Sequence, residues 1–473
     1  MNKKLLACIC LYIMCLFGVQ TMQAQPNYGD LLPLHVNGKF LVDSNGDTIV
    51  PHGVMDTPSP YFNSHRWGWN CDDGSILSCV AYFKKLFTAM TDHEQGAYCT
   101  VFRLHLDPCW TNDPNKTATD GGGENDISRY SGARLTKYMK SLYWRIAEQG
   151  LKKGLYIIMR PPGVCPHTIQ VGGEYQQYLL DVWDRVTKND SILKYYGQVS
   201  IELANEPIQC VDARGIDNYK ALHDFFQPIV DKIRANGFKG VIWVPGTGYQ
   251  SNYRAYSQYP ITDELNNIGY AVHVYSGWYG QSDDNASGYT FTKNFGDAVP
   301  VVKKYPVMIT EIDWSPLKEP KELDHYNEFN QPVYKNCGTW ATASTSKWGK
   351  AWKTVHDFYK NIGMTLTGTS DYLQIDPYIE NKKVIPFAQG NQEACGEACF
   401  AWYKEWYEKT EAAKAANAER RALAVESVEN DADEVSSEIY SLDGRKLTTL
   451  AKGVNIVRTK YSDGTVKNVK VYK

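Results

Sequence analysis

Short apolar runs bounded by turn residues recur along the chain, separated by longer stretches in which apolar residues return every three or four positions. The runs fall at residues 48–54, 98–104, 155–160, 199–204, 240–245, 270–275, 306–310 and 364–368 and predict eight buried strands. Helical periodicity covers 80–91, 134–149, 175–188, 218–235 and 348–361. Strands alternating with helices form a parallel sheet, and eight such units close on themselves, so the predicted fold is an α/β (β/α)8 barrel. The fifth unit is the thinnest, because residues 246–268 offer room for a short helix only.

Two of the runs end in chemistry. Val199-Ser-Ile-Glu-Leu-Ala-Asn205-Glu206-Pro207 passes from an apolar strand into an amide, a carboxylate and a proline, and Pro306-Val-Met-Ile-Thr310-Glu311-Ile312 delivers a second carboxylate 105 residues later. At roughly 30 to 35 residues per barrel unit that separation is three units, which places Glu206 after strand four and Glu311 after strand seven. Side chains at C-terminal strand ends converge on one face of such a barrel. Two carboxyl groups roughly 5 to 5.5 Å apart there are the requirement for glycoside hydrolysis with retention. Glu206 is then the proton carrier, with the Asn205 amide beside it for a sugar 2-hydroxyl, and Glu311 the ionised nucleophile. The competing reading makes both glutamates capping or ion-pairing groups at strand ends.

Composition narrows the partners. The chain has 473 residues, 43% of them hydrophobic, and a net charge of −3, so it can build a large core and has no bulk attraction to nucleic acid or anionic membrane. Its 13% aromatic residues provide stacking surfaces for neutral ligands with apolar faces. No cofactor motif and no zinc-like Cys/His spacing occurs, so no metal or cofactor is expected. Gly121-Gly-Gly-Glu-Asn-Asp126 fits neither a phosphate loop nor a calcium loop and is read as a flexible surface turn.

The two ends differ from the middle. Residues 1–24 have the charged, apolar and small-residue zones of a secretory leader, with cleavage expected after Ala24 and the product secreted or surface-located. Three of the 12 cysteines lie in that leader; Cys71 with Cys79, or Cys395 with Cys399, are the local pairing candidates among the rest. The catalytic barrel is assigned to 25–423, ending in a charged, alanine-rich helix at 401–423. Residues 424–438 form an acidic linker, and 439–473 a small module of alternating strands with Asp-Gly and Lys-Gly turns.

Phe102-Arg103-Leu104, Leu203-Ala-Asn205-Glu206-Pro207, His273-Val-Tyr275 and Ile309-Thr-Glu311, in this order along the barrel, resemble the motifs of glycoside hydrolase family 5 over roughly residues 34–401. The resemblance implies Arg103 bracing Glu311, Tyr275 donating to it, and His273 orienting Glu206 or the sugar. Where that family usually ends strand three in a histidine, this chain has Met159-Arg160-Pro161, so the role falls to Arg160 or His167; after strand eight Tyr372 stands where a tryptophan is usual. Ile439-Tyr-Ser-Leu-Asp-Gly444, Lys452-Gly-Val-Asn-Ile456 and residues 467–473 are similar to the sorting domains of Bacteroidetes proteins exported by the type IX system, which implies a secretion-machinery partner.

Aromatics on the loops after the strands are candidate cleft residues: Tyr61, Trp67, Trp69, Trp110, Tyr249, Tyr253, Trp278, Tyr279 and Trp314, about half of which should pack under their own loops. The function implied is a retaining endo-β-glycanase acting on a neutral β-1,4-linked polysaccharide, endoglucanase-like. The alternatives are a β-mannanase and a non-catalytic glycan-binding barrel.

Overall fold

A computed structural model of the chain describes residues 28, 31–282, 286–312, 323–326, 330, 332–334, 347–367, 390–429, 434–461 and 466–473. Eight parallel strands close into a barrel in chain order: β1 (His52–Asp56), β2 (Val101–His105), β3 (Tyr156–Arg160), β4 (Val199–Glu202), β5 (Ile242–Pro245), β6 (Ile268–Val274), β7 (Val307–Ile312) and β8 (Ile362–Leu366), with β8 returning to β1. Nearly every strand residue is buried, because the interior is filled by side chains and the outside is covered by helices.

The helices are α1 (Ile76–Met90), α2 (Gly132–Tyr138), which passes through a π-helical turn into α3 (Trp144–Leu151), α4 (Glu174–Val186), α5 (Tyr219–Ala235), α6 (Gly288–Ala298), α7 (Lys347–Tyr359) and α8 (Gly390–Glu429). α6 carries no strong apolar stripe in the sequence and was not expected. It buries Phe291 and Phe295 against Trp352 of α7. The fifth unit holds only a helical turn at Thr247–Gln250 and a 3₁₀ turn at Arg254–Ser257.

Strand β7 departs from regular geometry at a consequential place. Ile309 pairs with Val272 but Glu311 pairs with His273, so Thr310 is an extra residue; on the β8 side the register slips over the same segment. Such a bulge turns consecutive side chains toward one face and strands a carbonyl. The Thr365 hydroxyl donates to that carbonyl, Thr310 O, at 2.7 Å.

Below the barrel a three-stranded antiparallel sheet, Leu34–Asn37, Phe40–Asp43 and Thr48–Ile49, covers the N-terminal strand ends, tied down by Leu34 N donating to Gly197 O and Val36 N to Asn267 Oδ1. Of the residues assigned to the acidic linker, 424–429 continue α8, since alanine- and glutamate-rich sequence is a strong helix former, and a strand starts at Glu434. The strands Glu434–Ser441, Lys446–Leu447, Val454–Tyr461 and Val466–Tyr472 form a separate antiparallel sheet.

This terminal sheet touches the barrel's lower sheet. Tyr472 donates its hydroxyl to Ser44 O, and Arg421 and Asn417 of α8 donate to the buried Asp47 carboxylate at 2.7 to 3.1 Å. Burial alone would raise the Asp47 pKa, but Arg421 and Asn417 outweigh it and hold it below the usual aspartate range. Arg421→Ala should therefore cost about 1–3 kcal/mol in urea unfolding near neutral pH. Because the folded-state pKa is depressed, that stabilisation is present above about pH 4 and is lost as pH falls further, so the gap between wild type and variant should close in acid. A gap that persists at acidic pH would show that Arg421 acts through packing alone.

Candidate active site

The centre of the upper barrel face is a buried ion cluster around Arg103 on β2. Its Nε and Nη2 donate to the two oxygens of Glu202 on β4 at 2.6 and 3.0 Å, its Nη1 to Glu311 Oε1 at 2.7 Å, and its Nη2 also to Asn205 Oδ1 at 2.7 Å. Arg103 and Glu202 are wholly inaccessible to solvent. Because Arg103 takes the amide oxygen of Asn205, the NH2 end of that side chain is the group left for the cavity.

Glu311 is nearly buried and doubly held. Tyr275 donates its hydroxyl to Oε2 at 2.7 Å, opposite the Arg103 bond to Oε1. Burial alone would raise its pKa, but His273, Arg103 and Arg160 outweigh that and hold the carboxyl well below the usual glutamate range. Burial and the neighbouring Glu311 charge push the Tyr275 phenol far above its ordinary value, which keeps it a donor.

Glu206 has a side chain 25% exposed and, among the described residues, one polar side-chain contact, its Oε1 lying 3.1 Å from His273 Nδ1; the same nitrogen is 3.6 Å from Glu311 Oε2. Its backbone sits at φ 56°, a left-handed conformation that a non-glycine residue, least of all one before proline, adopts only when its surroundings impose it. Gln250 imposes it: its Oε1 accepts from Glu206 N at 2.7 Å while its Nε2 donates to Glu202 Oε1 at 3.0 Å. Tyr249 N and Gly248 N donate to Pro207 O and Ile208 O. Loop five thus grips the turn that carries Glu206.

One oxygen of Glu206, one of Glu311 and a ring nitrogen of His273 all lie within 4.8 Å of each other. Three such donors could hold a cation, but Arg103 and Arg160 already bring positive charge to Glu311, which opposes a metal ion there. The arrangement suits a proton-bearing group facing an ionised one across a gap about the size of one reacting centre.

These groups open into a cavity of about 350 Å³ lined on one side by Thr57, Phe62, His105, Asp107, Glu124 and Arg160. His105, the last residue of β2, was not singled out from the sequence. Its Nδ1 lies 2.8 Å from Arg160 Nη2, and since a guanidinium can only donate, the ring proton is on Nε2. Burial and Arg160 push its pKa well below the ordinary histidine value. Arg160, one of the two residues offered for the strand-three role, thus lines the cavity in partnership with His105 of β2. His167 is exposed, bonds Thr168 and does not line the cavity, which corrects the alternative offered for it.

The aromatic candidates divide. Trp110 is fully buried, donating Nε1 to Pro58 O at 2.6 Å, and is a loop anchor instead of a cleft residue. Tyr253 and Trp67 are likewise buried. Tyr249, Trp278 and Tyr279 line a second groove of about 660 Å³ between loops five and six, and the Trp278 ring meets Tyr275 at 4.9 Å. Trp69 is 78% exposed and stacked on His65, away from the cavity. Trp314 and Tyr372 lie outside the described residues. Cys71 is bridged to Cys109, not to Cys79, because Cys79 faces inward on α1 while loops one and two meet above the barrel. Cys395 has no described side chain.

Sequence reasoning missed Glu202, Gln250, Thr310 and His105. Glu202 had a signal, a charge in the middle of an apolar strand, which in a barrel must find a partner inside. Thr310 had none, since the bulge that turns it to Glu202, at 2.9 Å, is not written in the local residues.

Residues 136–335 match the model of the cellulase family, glycosyl hydrolase family 5. No curated protein matches the chain. Among solved structures the fold is similar to a β-glucanase from Saccharophagus degradans (18% identity, 72% of this chain and 87% of that one, TM-score 0.44). It is also similar to a family 5 cellulase from an Icelandic hot spring isolate (16%, 80% and 97%, 0.49) and to a β-mannanase from Thermomonospora fusca (14%, 71% and 83%, 0.36). Residues 136–335, which carry Glu206, His273, Tyr275 and Glu311, are thus similar in sequence to glycosyl hydrolase family 5.

Proposed function

We propose that the protein is a retaining endo-β-glycanase that hydrolyses a neutral β-1,4-linked polysaccharide by double displacement, with Glu311 as nucleophile and Glu206 as acid and base. The observation that carries this reading is the approach of one Glu206 oxygen to one Glu311 oxygen within 4.8 Å. An inverting enzyme would need roughly 6.5–9.5 Å between its carboxyl groups to admit a water.

In the first half-reaction a Glu311 oxygen forms a bond to the anomeric carbon as the glycosidic C–O bond breaks and Glu206 gives its proton to the leaving oxygen. In the second, Glu206 takes a proton from water, the water oxygen bonds the anomeric carbon, and Glu311 leaves as a carboxylate. Arg103 and Tyr275 keep Glu311 ionised and fixed, and the Asn205 NH2 group is placed for the hydroxyl beside the anomeric carbon. The leader-like stretch at 1–24 and the sorting-like tail support export, which would bring the enzyme to a polymer that cannot enter a cell.

Reducing-sugar release from cellulose derivatives, mixed-linkage glucan, xyloglucan, mannan and xylan tests the reading and identifies the polymer; silence on all of them would leave a glycan-binding barrel. Glu311→Gln should lower turnover by roughly 10³-fold or more with the fold intact, since an amide cannot attack the anomeric carbon. Glu206→Ala should lose roughly 10²- to 10⁴-fold on polysaccharide but much less on an aryl glycoside whose leaving group needs no proton. Equal losses on both substrates would remove Glu206 from the acid role.

The pH profile follows from the charges around Glu311. Its depressed pKa puts the acid limb of kcat/KM below the usual glutamate range, and Arg160→Gln, which deletes one of the cations responsible, should move that limb up by about one pH unit. An unmoved limb would mean that Arg160 does not act on the nucleophile.

A further inference from the structure

The Gly121–Asp126 stretch, which reads as a flexible turn in the sequence, is a built loop that brings a further carboxylate to the cavity. Its carboxylate-bearing turn is closed by Asp126, which is buried and accepts from Gly122 N at 2.9 Å and Ser128 N at 2.8 Å. The loop's base is clamped by Asp113 N donating to Arg129 O and Ser131 N to Thr111 O. Its tip is pinned to loop three, where Val164 N donates to Glu124 O at 3.1 Å. Gly163 permits that approach: it sits at φ 73°, and a β-carbon there would lie 2.1 Å from Glu124 O.

Among the described residues five carboxylates line the cavity: Asp56, Asp107, Glu124, Glu206 and Glu311. Four are engaged. Asp56 accepts from Asn63 and Tyr82, Asp107 from Thr57 and Cys109 N, Glu206 meets His273, and Glu311 is bound by Arg103 and Tyr275. Among the described residues nothing donates to the Glu124 carboxylate, although it stands within electrostatic reach of Arg160, Glu206 and Glu311. An exposed carboxylate on a turn whose backbone is pinned, beside the reacting pair and on the wall of a ligand-sized cavity, is placed to take hydroxyl protons from a bound sugar.

We propose that Glu124 is a specificity residue that accepts hydrogen bonds from hydroxyls of the sugar next to the one being cleaved, on the side that stays attached to Glu311. The inference rests on the glycosidase reading for that assignment. Glu206 delivers its proton to the leaving group, and the groove of Tyr249 and Trp278 lies on the loop-five and loop-six side; the cavity walled by Phe62, Asp107, Arg160 and Glu124 lies on the side of strands one to three. A sugar with its anomeric carbon at the carboxyl pair and its body in this cavity has its neighbour against Glu124.

The test is titration calorimetry of cellotriose and of mannotriose with Glu311→Gln protein, with and without Glu124→Gln, alongside steady-state hydrolysis of nitrophenyl β-cellobioside and β-mannobioside by the wild type and by Glu124→Gln alone. Loss of a charge-assisted acceptor should weaken binding of at least one triose about tenfold or more and raise KM with little change in kcat, at an unchanged thermal midpoint. Equal triose affinity with and without Glu124, or no triose binding at all, overturns the proposal. So does a loss carried in kcat alone, which would make Glu124 part of the chemistry. Weakened triose binding in Glu124→Gln, together with a wild type that cleaves no β-1,4-glycan, would uphold the sugar contact and overturn the glycosidase reading instead.

Discussion

The guanidinium of Arg103 inside the barrel is the constraint on which the upper face depends. An isolated charge there would cost many kcal/mol, so every N–H it presents must find an acceptor, and the carboxylate and amide acceptors come from two different strands and the turn after one of them. Glu202 on β4, Asn205 just beyond it and Glu311 on β7 are thereby fixed relative to β2 by bonds of 2.6 to 3.0 Å. The pairing is lopsided, two carboxylates to one guanidinium. Neutral donors share the surplus: Gln250 and Thr310 serve Glu202, and Tyr275 serves Glu311. Removing Arg103 would strand two buried carboxylates at about 3–5 kcal/mol for the broken pair, so its loss threatens fold and site together.

That network separates two glutamates four residues apart in one strand and its turn. Glu202 accepts from Arg103 twice, from Gln250 and from Thr310 and is sealed from solvent, which leaves it closed to a ligand. Glu206 has, among the described residues, a single polar side-chain neighbour and partial exposure, which is the condition a group needs if it is to exchange protons with a substrate. Glu311 lies between these extremes, immobilised by two donors yet open to the cavity.

Much of this was legible in the chain because burial writes itself into apolar runs. All eight strands fall within a few residues of their predicted positions, and Arg103, Asn205, Glu206, His273, Tyr275 and Glu311 do meet at one face, since the C-terminal end of a strand is a position that periodicity can locate. What escaped was set by contacts distant in sequence. Trp110 and Tyr253 are indistinguishable from cleft aromatics in sequence, and only the carbonyls of Pro58 and Ala271 that their polar tips reach show them to be anchors. The Gly121–Asp126 turn reads as mobile because glycine is permissive, whereas Asp126 and Gly163 make it rigid. The partner of Cys71 escaped for the same reason: Cys71 and Cys109 are neighbours only once loops one and two fold over the barrel.

Both carboxylates of the candidate pair sit where the backbone leaves regular geometry, and each irregularity has its own support. Glu311 follows the extra residue of the β7 bulge. In an unbroken strand, Thr310 and Glu311 would face opposite sides, and one of the two acceptors of the ion cluster would lose its partner. Glu206 stands at a left-handed position before a proline, held by the Gln250 side chain, itself at φ 59°. Strain of this kind costs on the order of 1–3 kcal/mol per residue and survives only where surrounding bonds over-determine it. Gln250 supplies the link, because the amide that restrains Glu206 is anchored at its other end to Glu202, and through Glu202 to Arg103. The position of the exposed carboxylate is therefore referred back to the buried charge. A barrel of mostly apolar strands can in this way hold two carboxyl groups within one reaction distance.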